Sequence, residues 1–186
     1  MNDIGAKFAL VGNFVYSFES VVTWIRHSCE FLLTENGLRD DKIAVVIFGN
    51  KMFSAEPLSA VYEAMVNEIL KDKTDPVNIA LLAKLSQFRK DFVKLTEFRN
   101  QLLHGQHLYY DGIEGMEVLK LAPNKNGYKT DKVMSLPEEL SAKIKDANRL
   151  FKIIREILFD MIKIQNERYS LESLEKKSSD KDGQCL

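Results

Sequence analysis

The stretch from Asp75 to Gly105 reads DPVNIALLAKLSQFRKDFVKLTEFRNQLLHG and predicts one long amphipathic helix. Asp75 followed by Pro76 is a strong helix start, because an acidic cap precedes the residue type that suits the first helical position. Gly105 predicts where the helix ends. Apolar residues recur along it at helical intervals of three and four, namely Leu81, Leu85, Phe88, Phe92, Leu95, Leu102 and Leu103.

Segments on both sides of this stretch carry the same periodic pattern and predict two more long helices. The N-terminal helix can be capped by Asn2 or Asp3 and can end at Gly37. Its apolar stripe comprises Ile4, Phe8, Val11, Val15, Phe18, Val22, Ile25, Cys29 and Leu32. The C-terminal helix starts at the capping box Ser135-Leu136-Pro137-Glu138 and reaches about Tyr169. Its stripe comprises Leu140, Ile144, Ala147, Phe151, Ile154, Leu158 and Met161.

Shorter elements fill the remaining segments. A helix is predicted from about Pro57 to Lys71, and residues 39–50 fit either a short helix, which we favour, or a buried strand. Residues 107–134 contain strand-favouring side chains and the turn signal Asn126-Gly127, which predict a small β-hairpin or an irregular excursion before the last helix.

These elements predict an all-α fold, an up-and-down helical bundle of three long and one or two short helices. A single domain is expected over residues 1–169, with 107–134 as an excursion from it. The segment 170–186 is rich in Lys, Ser, Glu and Asp, and is expected to form a flexible charged tail.

Composition limits the classes of partner. Apolar residues make up 45% of the 186, and the net charge is only -1, so any contact with nucleic acid is expected to be local. Cys29 and Cys185 have no spacing typical of a metal site or a disulfide framework. No signal peptide is visible, and the longest apolar run, Ile43 to Phe48, is too short for a bilayer. We therefore predict a cytoplasmic protein with no cofactor, metal or membrane partner.

The end of the helix over 76–104 combines residue types suited to RNA cleavage. With about 100° of rotation per residue, Arg99 falls in the middle of the apolar stripe. A buried arginine needs a partner or a function, because an unpaired charge is costly to desolvate. Asn100 and His104 are four residues apart and share a flank of the helix. Arg99 and His104 lie about 140° apart around the axis and ~7.5 Å along it, which points to help from a second subunit.

Cleavage of RNA by its own 2′-hydroxyl needs a proton acceptor, a proton donor and positive charge on the phosphorane. Histidine can perform either proton transfer near neutral pH. Arginine stays charged and matches phosphate oxygens with paired donors. Asparagine can orient the histidine or the phosphate by hydrogen bonding.

The sequence Arg99-Asn100-x-x-x-His104, late in a long helix of an all-helical chain, resembles the motif of the HEPN superfamily. This resemblance covers roughly residues 76–168. It implies a metal-independent endoribonuclease that dimerises into one composite active site and serves in a toxin-antitoxin or phage-defence system. Arg99 would stabilise the transition state, His104 would act as general acid or base, and Asn100 would give polar support. RNA would be the substrate, and an antitoxin or another defence-system protein would be a further partner.

Other interpretations stay open. A toxin subgroup paired with small nucleotidyltransferases has tyrosine two residues after the histidine, where this chain has Gln106, so that partner is not predicted. His107 would add a phosphate contact or be an exposed loop residue, and Tyr109 would stack on a base or pack in a strand. The alternative function is a catalytically silent HEPN-like dimerisation or partner-binding module. A third reading is a helical scaffold in which Arg99 pairs with Glu97 or with a carboxylate on another helix.

Overall fold

The computed structural model describes residues 4–35, 54–70, 75–104, 106–108, 116–124, 127–135 and 137–182. Helices and strands follow one another in the order α1 Ile4–Glu35, α2 Ala55–Ile69, α3 Pro76–His104, β1 Gln106–Leu108, β2 Met116–Asn124, β3 Gly127–Ser135 and α4 Pro137–Asp182. The predicted all-α helical bundle is confirmed. The predicted short helix within 39–50 lies outside the described residues.

Aromatic contacts place α3 antiparallel to α1. The rings of Phe14 and Phe98 meet edge to face with centroids 5.2 Å apart. One turn further along α1, Phe18 stacks on Phe92 at 5.6 Å. Aromatic pairs of this kind add about 0.5–1.5 kcal/mol beyond the apolar area that they bury, so these contacts stabilise the α1–α3 interface.

Ion pairs place α4 antiparallel to α3 on another side of the bundle. Arg149 on α4 donates to Asp91 at 3.0 Å, and Lys84 lies 2.7 Å from Glu156. Below these pairs, one hydrophobic core draws residues from all four described helices. Its largest fully buried side chains include Tyr62, Phe14, Phe18, Phe88, Phe92, Ile25, Leu32 and Leu150.

Helix α3 has the bounds that the sequence predicts. The backbone N–H of Val77 donates to the Asp75 carboxylate at 2.8 Å, which is the expected cap. The helix ends at His104, next to Gly105. The predicted apolar stripe is buried for Leu81, Leu85, Phe88, Phe92, Leu95 and Leu102, whereas Leu103 is 37% exposed.

The predicted hairpin is present as an antiparallel pair of strands, in the segment of the chain that connects α3 to α4. Strand β2 pairs with β3 from Met116↔Ser135 to Asn124↔Gly127. Strand β1 adds a third member to this sheet by pairing with β2. Asn126 and Tyr109 lie outside the described residues.

The predicted end of the last helix, near Tyr169, is wrong, because α4 continues to Asp182. The segment 170–182 is therefore helical where a flexible tail was predicted. No glycine or proline interrupts the chain between Pro137 and Gly183. Lys, Glu and Leu also have high helix propensity, so the change to a polar composition does not stop the helix.

Helix α1 is long and apolar enough over Phe8–Thr34 to cross a membrane, with a mean hydropathy of 1.3. A core helix of a bundle passes the same test of length and composition, and Phe14, Phe18 and Ile25 are at most 1% exposed. The test therefore does not separate the two possibilities, and a cytoplasmic location stays a prediction.

Candidate functional site

Arg99 is held by contacts from both α1 and α3. Its Nη2 lies 3.3 Å from Oε1 of Glu19 on α1. Its Nη1 donates to Oδ1 of the neighbouring Asn100 at 3.3 Å. The guanidinium carbon lies 5.8 Å from the ring centroid of Phe18, as in a cation–π contact. Three side chains thus orient one guanidinium group.

The burial of Arg99 is intermediate. About a quarter of its side chain is exposed, 27%, against 45% for Glu19. Its Nε is buried and has no hydrogen-bond partner in the described part of the chain. A partly exposed ion pair stabilises a protein by at most about 1 kcal/mol, whereas an unsatisfied buried donor costs about 1–3 kcal/mol. The ion pair with Glu19 by itself therefore does not account for arginine at this position.

A cavity of ≈ 530 Å³ lies beside Arg99, between α1, α3 and the N-terminus of α2. Pockets of about 300–1,000 Å³ hold small ligands in other proteins. The polar side chains along its wall are those of Glu19, Arg26, Ser54, Glu56, Thr96, Arg99 and Asn100. Two arginines and two glutamates thus line one concave surface, where a polar ligand or substrate group can be bound.

The other predicted site residues are placed by their backbone. His104 is the last residue of α3, five positions after Arg99 and ~7.5 Å further along the axis. His107 lies on β1 opposite Val118, and Tyr109 falls outside the described residues. The structure therefore brings Arg99 and Asn100 together, and it positions His104 at the end of the same helix.

Two residues of the cavity, Glu19 and Arg26, were missed by sequence reasoning. They are the only Asp, Glu, Lys or Arg between Phe8 and Ser28. Seven residues apart on a helix, they share one face, because seven steps return to within about 20° of the start. A heptad-spaced pair of opposite charges beside the apolar stripe of a helix is the signal that would have found them.

Cys29 is a core residue, as its place in the apolar stripe predicts. Its side chain is fully buried, and burial, with a smaller contribution from the charge of Glu30, raises the pKa of its thiol to about 12. A thiol acts as a nucleophile or a metal ligand through its thiolate form. Among the described residues no three His, Cys, Asp or Glu side chains form a group able to hold a metal ion.

Comparisons of the chain with protein families, with curated proteins and with solved structures found no match. The case for a function therefore depends on the chemistry of the site. An oriented guanidinium group beside a cavity can bind a phosphate and stabilise negative charge that develops on it. A carboxamide next to it can hydrogen-bond to the same ligand.

Proposed function

We propose that this protein is a metal-independent endoribonuclease of the HEPN type. One observation carries the proposal: Arg99 is oriented at the wall of a cavity by Glu19, Asn100 and Phe18. A guanidinium group has five N–H donors. The described contacts use one N–H of each Nη atom, and in the proposed complex the second N–H of each donates to a phosphate oxygen.

In the proposed reaction the RNA supplies its own nucleophile. The 2′-hydroxyl oxygen attacks the neighbouring phosphorus as its proton passes to a base, and the bond from phosphorus to the 5′-oxygen breaks as that oxygen is protonated. The products are a 2′,3′-cyclic phosphate and a 5′-hydroxyl end. His104 performs a proton transfer, Arg99 stabilises the charge on the phosphorane, and Asn100 orients the phosphate.

The proposed active site is composite and forms between two copies of the chain. Arg99 and His104 are about 140° apart around the axis of α3, so a single helix does not direct both toward one phosphate. When the motif helix of a second copy faces the first, residues from both helices can contact the same phosphate. A role in toxin or phage defence, with an antitoxin or another defence protein as partner, belongs to the same proposal.

The deciding experiment incubates the purified chain with end-labelled single-stranded RNA in excess metal chelator. We expect cleavage products with 2′,3′-cyclic phosphate ends, and no cleavage by Arg99→Ala or His104→Ala. The mass of the protein in solution is measured in parallel, and we expect a dimer. Intact RNA with the wild-type chain, or cleavage that survives both substitutions, would rule out the proposal.

A second candidate is a catalytically silent binding module of the same fold. The ion pair between Arg99 and Glu19 favours it, because a pair that joins α1 to α3 can have a purely structural purpose. This candidate predicts that Arg99→Ala lowers thermal stability, that His104→Ala changes nothing, and that RNA stays intact with every variant.

A further inference from the structure

We infer that Arg26 forms a second phosphate-binding position in the same cavity, for the backbone phosphate next to the one at Arg99 on a single RNA strand. This inference rests on the proposed function, because it takes RNA as the ligand. Its starting point is that two arginines from different helices, Arg26 on α1 and Arg99 on α3, line the same cavity.

Arg26 differs from Arg99 in having no ionic partner within the described residues. Within the described residues its buried Nε has no hydrogen-bond partner, although Glu19 lies on the same face of α1. Glu19 pairs instead with Arg99. A cavity-lining guanidinium that pairs with no carboxylate of the described residues is suited to an anionic ligand, and its plane suits phosphate oxygens in particular.

The N-terminus of α2 borders this wall, where its first N–H groups oppose the negative charge of Glu56 in the same turn. Ser54, Ala55 and Glu56 line the cavity, and α2 is a helix of 15 residues whose N-cap Ser54 makes no side-chain capping bond. The first N–H groups of a helix have no partner within it, and the helix dipole makes this end positive. The first intrahelical bond here runs from Leu58 N–H to the Ser54 carbonyl at 3.1 Å.

The two arginines are anchored at different levels of the bundle, as two phosphates of one strand require. Arg99 contacts Glu19, and Arg26 lies two turns beyond Glu19 on α1, ~10.5 Å along the axis. A single phosphate group that engages Arg99 at the level of Glu19 leaves Arg26 for its neighbour on the strand. Single-stranded RNA can present consecutive phosphates to a charged groove in this way.

The test measures binding of a short fluorescein-labelled 2′-O-methyl oligonucleotide, which lacks the attacking hydroxyl and stays intact. We expect Arg26→Gln to weaken binding about tenfold. The slope of log affinity against log salt should become shallower by about 0.7, the value for one phosphate contact to a single strand. Arg26→Lys should keep the slope and recover part of the affinity, because lysine keeps the charge but lacks the paired N–H donors of the guanidinium group.

Arg155→Gln is the matched control. Arg155 lies over the ring of Trp24 at 5.2 Å, and Trp24 is about 200° around α1 from Arg26, so this substitution removes the same charge from another face. Wild-type affinity and slope in Arg26→Gln, or an equal loss in Arg155→Gln, would overturn the inference. If cleavage depends on Arg99 but the affinity for the oligonucleotide does not depend on Arg26, the inference fails and the proposed function stands. If the affinity depends on Arg26 but unmodified RNA is not cleaved, the proposed nuclease function fails and the phosphate-binding position at Arg26 stands.

Discussion

The guanidinium carbon of Arg99 lies 5.8 Å from the ring centroid of Phe18, and the same ring stacks on Phe92 at 5.6 Å. One core aromatic residue therefore contacts both the hydrophobic centre of the bundle and the arginine that we propose to be catalytic. Core packing and the orientation of Arg99 are coupled through this ring.

This coupling predicts different effects for two similar substitutions. Phe18→Leu and Phe92→Leu should each lower the free energy of unfolding by about 1–2 kcal/mol, since each removes a stacked ring from the core. Only Phe18→Leu should also slow RNA cleavage, because only Phe18 supports Arg99. Urea unfolding and single-turnover cleavage measure the two quantities, and equal cleavage by both variants would show that the ring does not position Arg99.

Arginine at position 99 should be needed for its shape as well as its charge. Arg99→Lys should slow cleavage by about 10²–10³, the cost of losing a donor that stabilises transition-state charge. The matched control is Arg89→Lys, since Arg89 also lies on α3 and pairs with a carboxylate on another helix, Glu63 on α2. We expect small and similar changes in stability for both variants and a rate loss for Arg99→Lys alone. A comparable rate loss in Arg89→Lys would assign Arg99 a structural role.

The charge of Glu19 should compete with RNA for Arg99, whereas a side-chain oxygen at position 19, which Glu19→Gln keeps, still accepts from the guanidinium group and orients it. Removing its charge in Glu19→Gln should raise the affinity for the 2′-O-methyl oligonucleotide up to about fivefold, which corresponds to a partly exposed ion pair of at most about 1 kcal/mol. Glu63→Gln releases Arg89 in the same way outside the cavity and should leave affinity unchanged. Fluorescence anisotropy compares the two, and weaker binding by Glu19→Gln would mean that Glu19 holds Arg99 in its binding position.

Cys29 should be inert in the folded protein. Burial raises the pKa of its thiol to about 12, so in a Cys185→Ser background a thiol reagent at pH 8 should label the chain only after denaturation. At higher pH the unfolded chain loses the thiol proton first, near its ordinary pKa of 9, whereas the folded chain retains it. The contribution of Cys29 to stability is therefore complete below pH 9 and is lost as pH rises toward 12.

Urea unfolding at pH 7 and pH 10 measures this loss, with Cys29→Ala as the reference that lacks the thiol. The free energy of unfolding should fall more between the two pH values in the parent than in the reference. Rapid labelling of the folded protein at pH 8 would contradict the assigned burial.

Periodicity of the sequence was sufficient to predict the helices and most of their buried faces. The stripes from Phe18 to Leu32 and from Leu81 to Leu102 are local patterns, because residues three and four apart lie on one side of a helix wherever it packs. The predicted N-terminal stripe began too early, since Phe8 is 54% exposed. The Asp75 cap and the Gly105 stop are equally local. The end of α4 was predicted too early, because a polar sequence shows where a helix leaves the core and does not show where it ends.

The neighbours of Arg99 were decided by tertiary structure. The sequence by itself determined that an arginine would lie on the apolar side of a long helix and would need a partner. It did not determine that the partner is Glu19, 80 residues away, or that Arg26 and the start of α2 would border the same cavity. Those relationships depend on how α1, α2 and α3 pack, and packing contacts between distant residues leave no periodic signal in the chain that forms them.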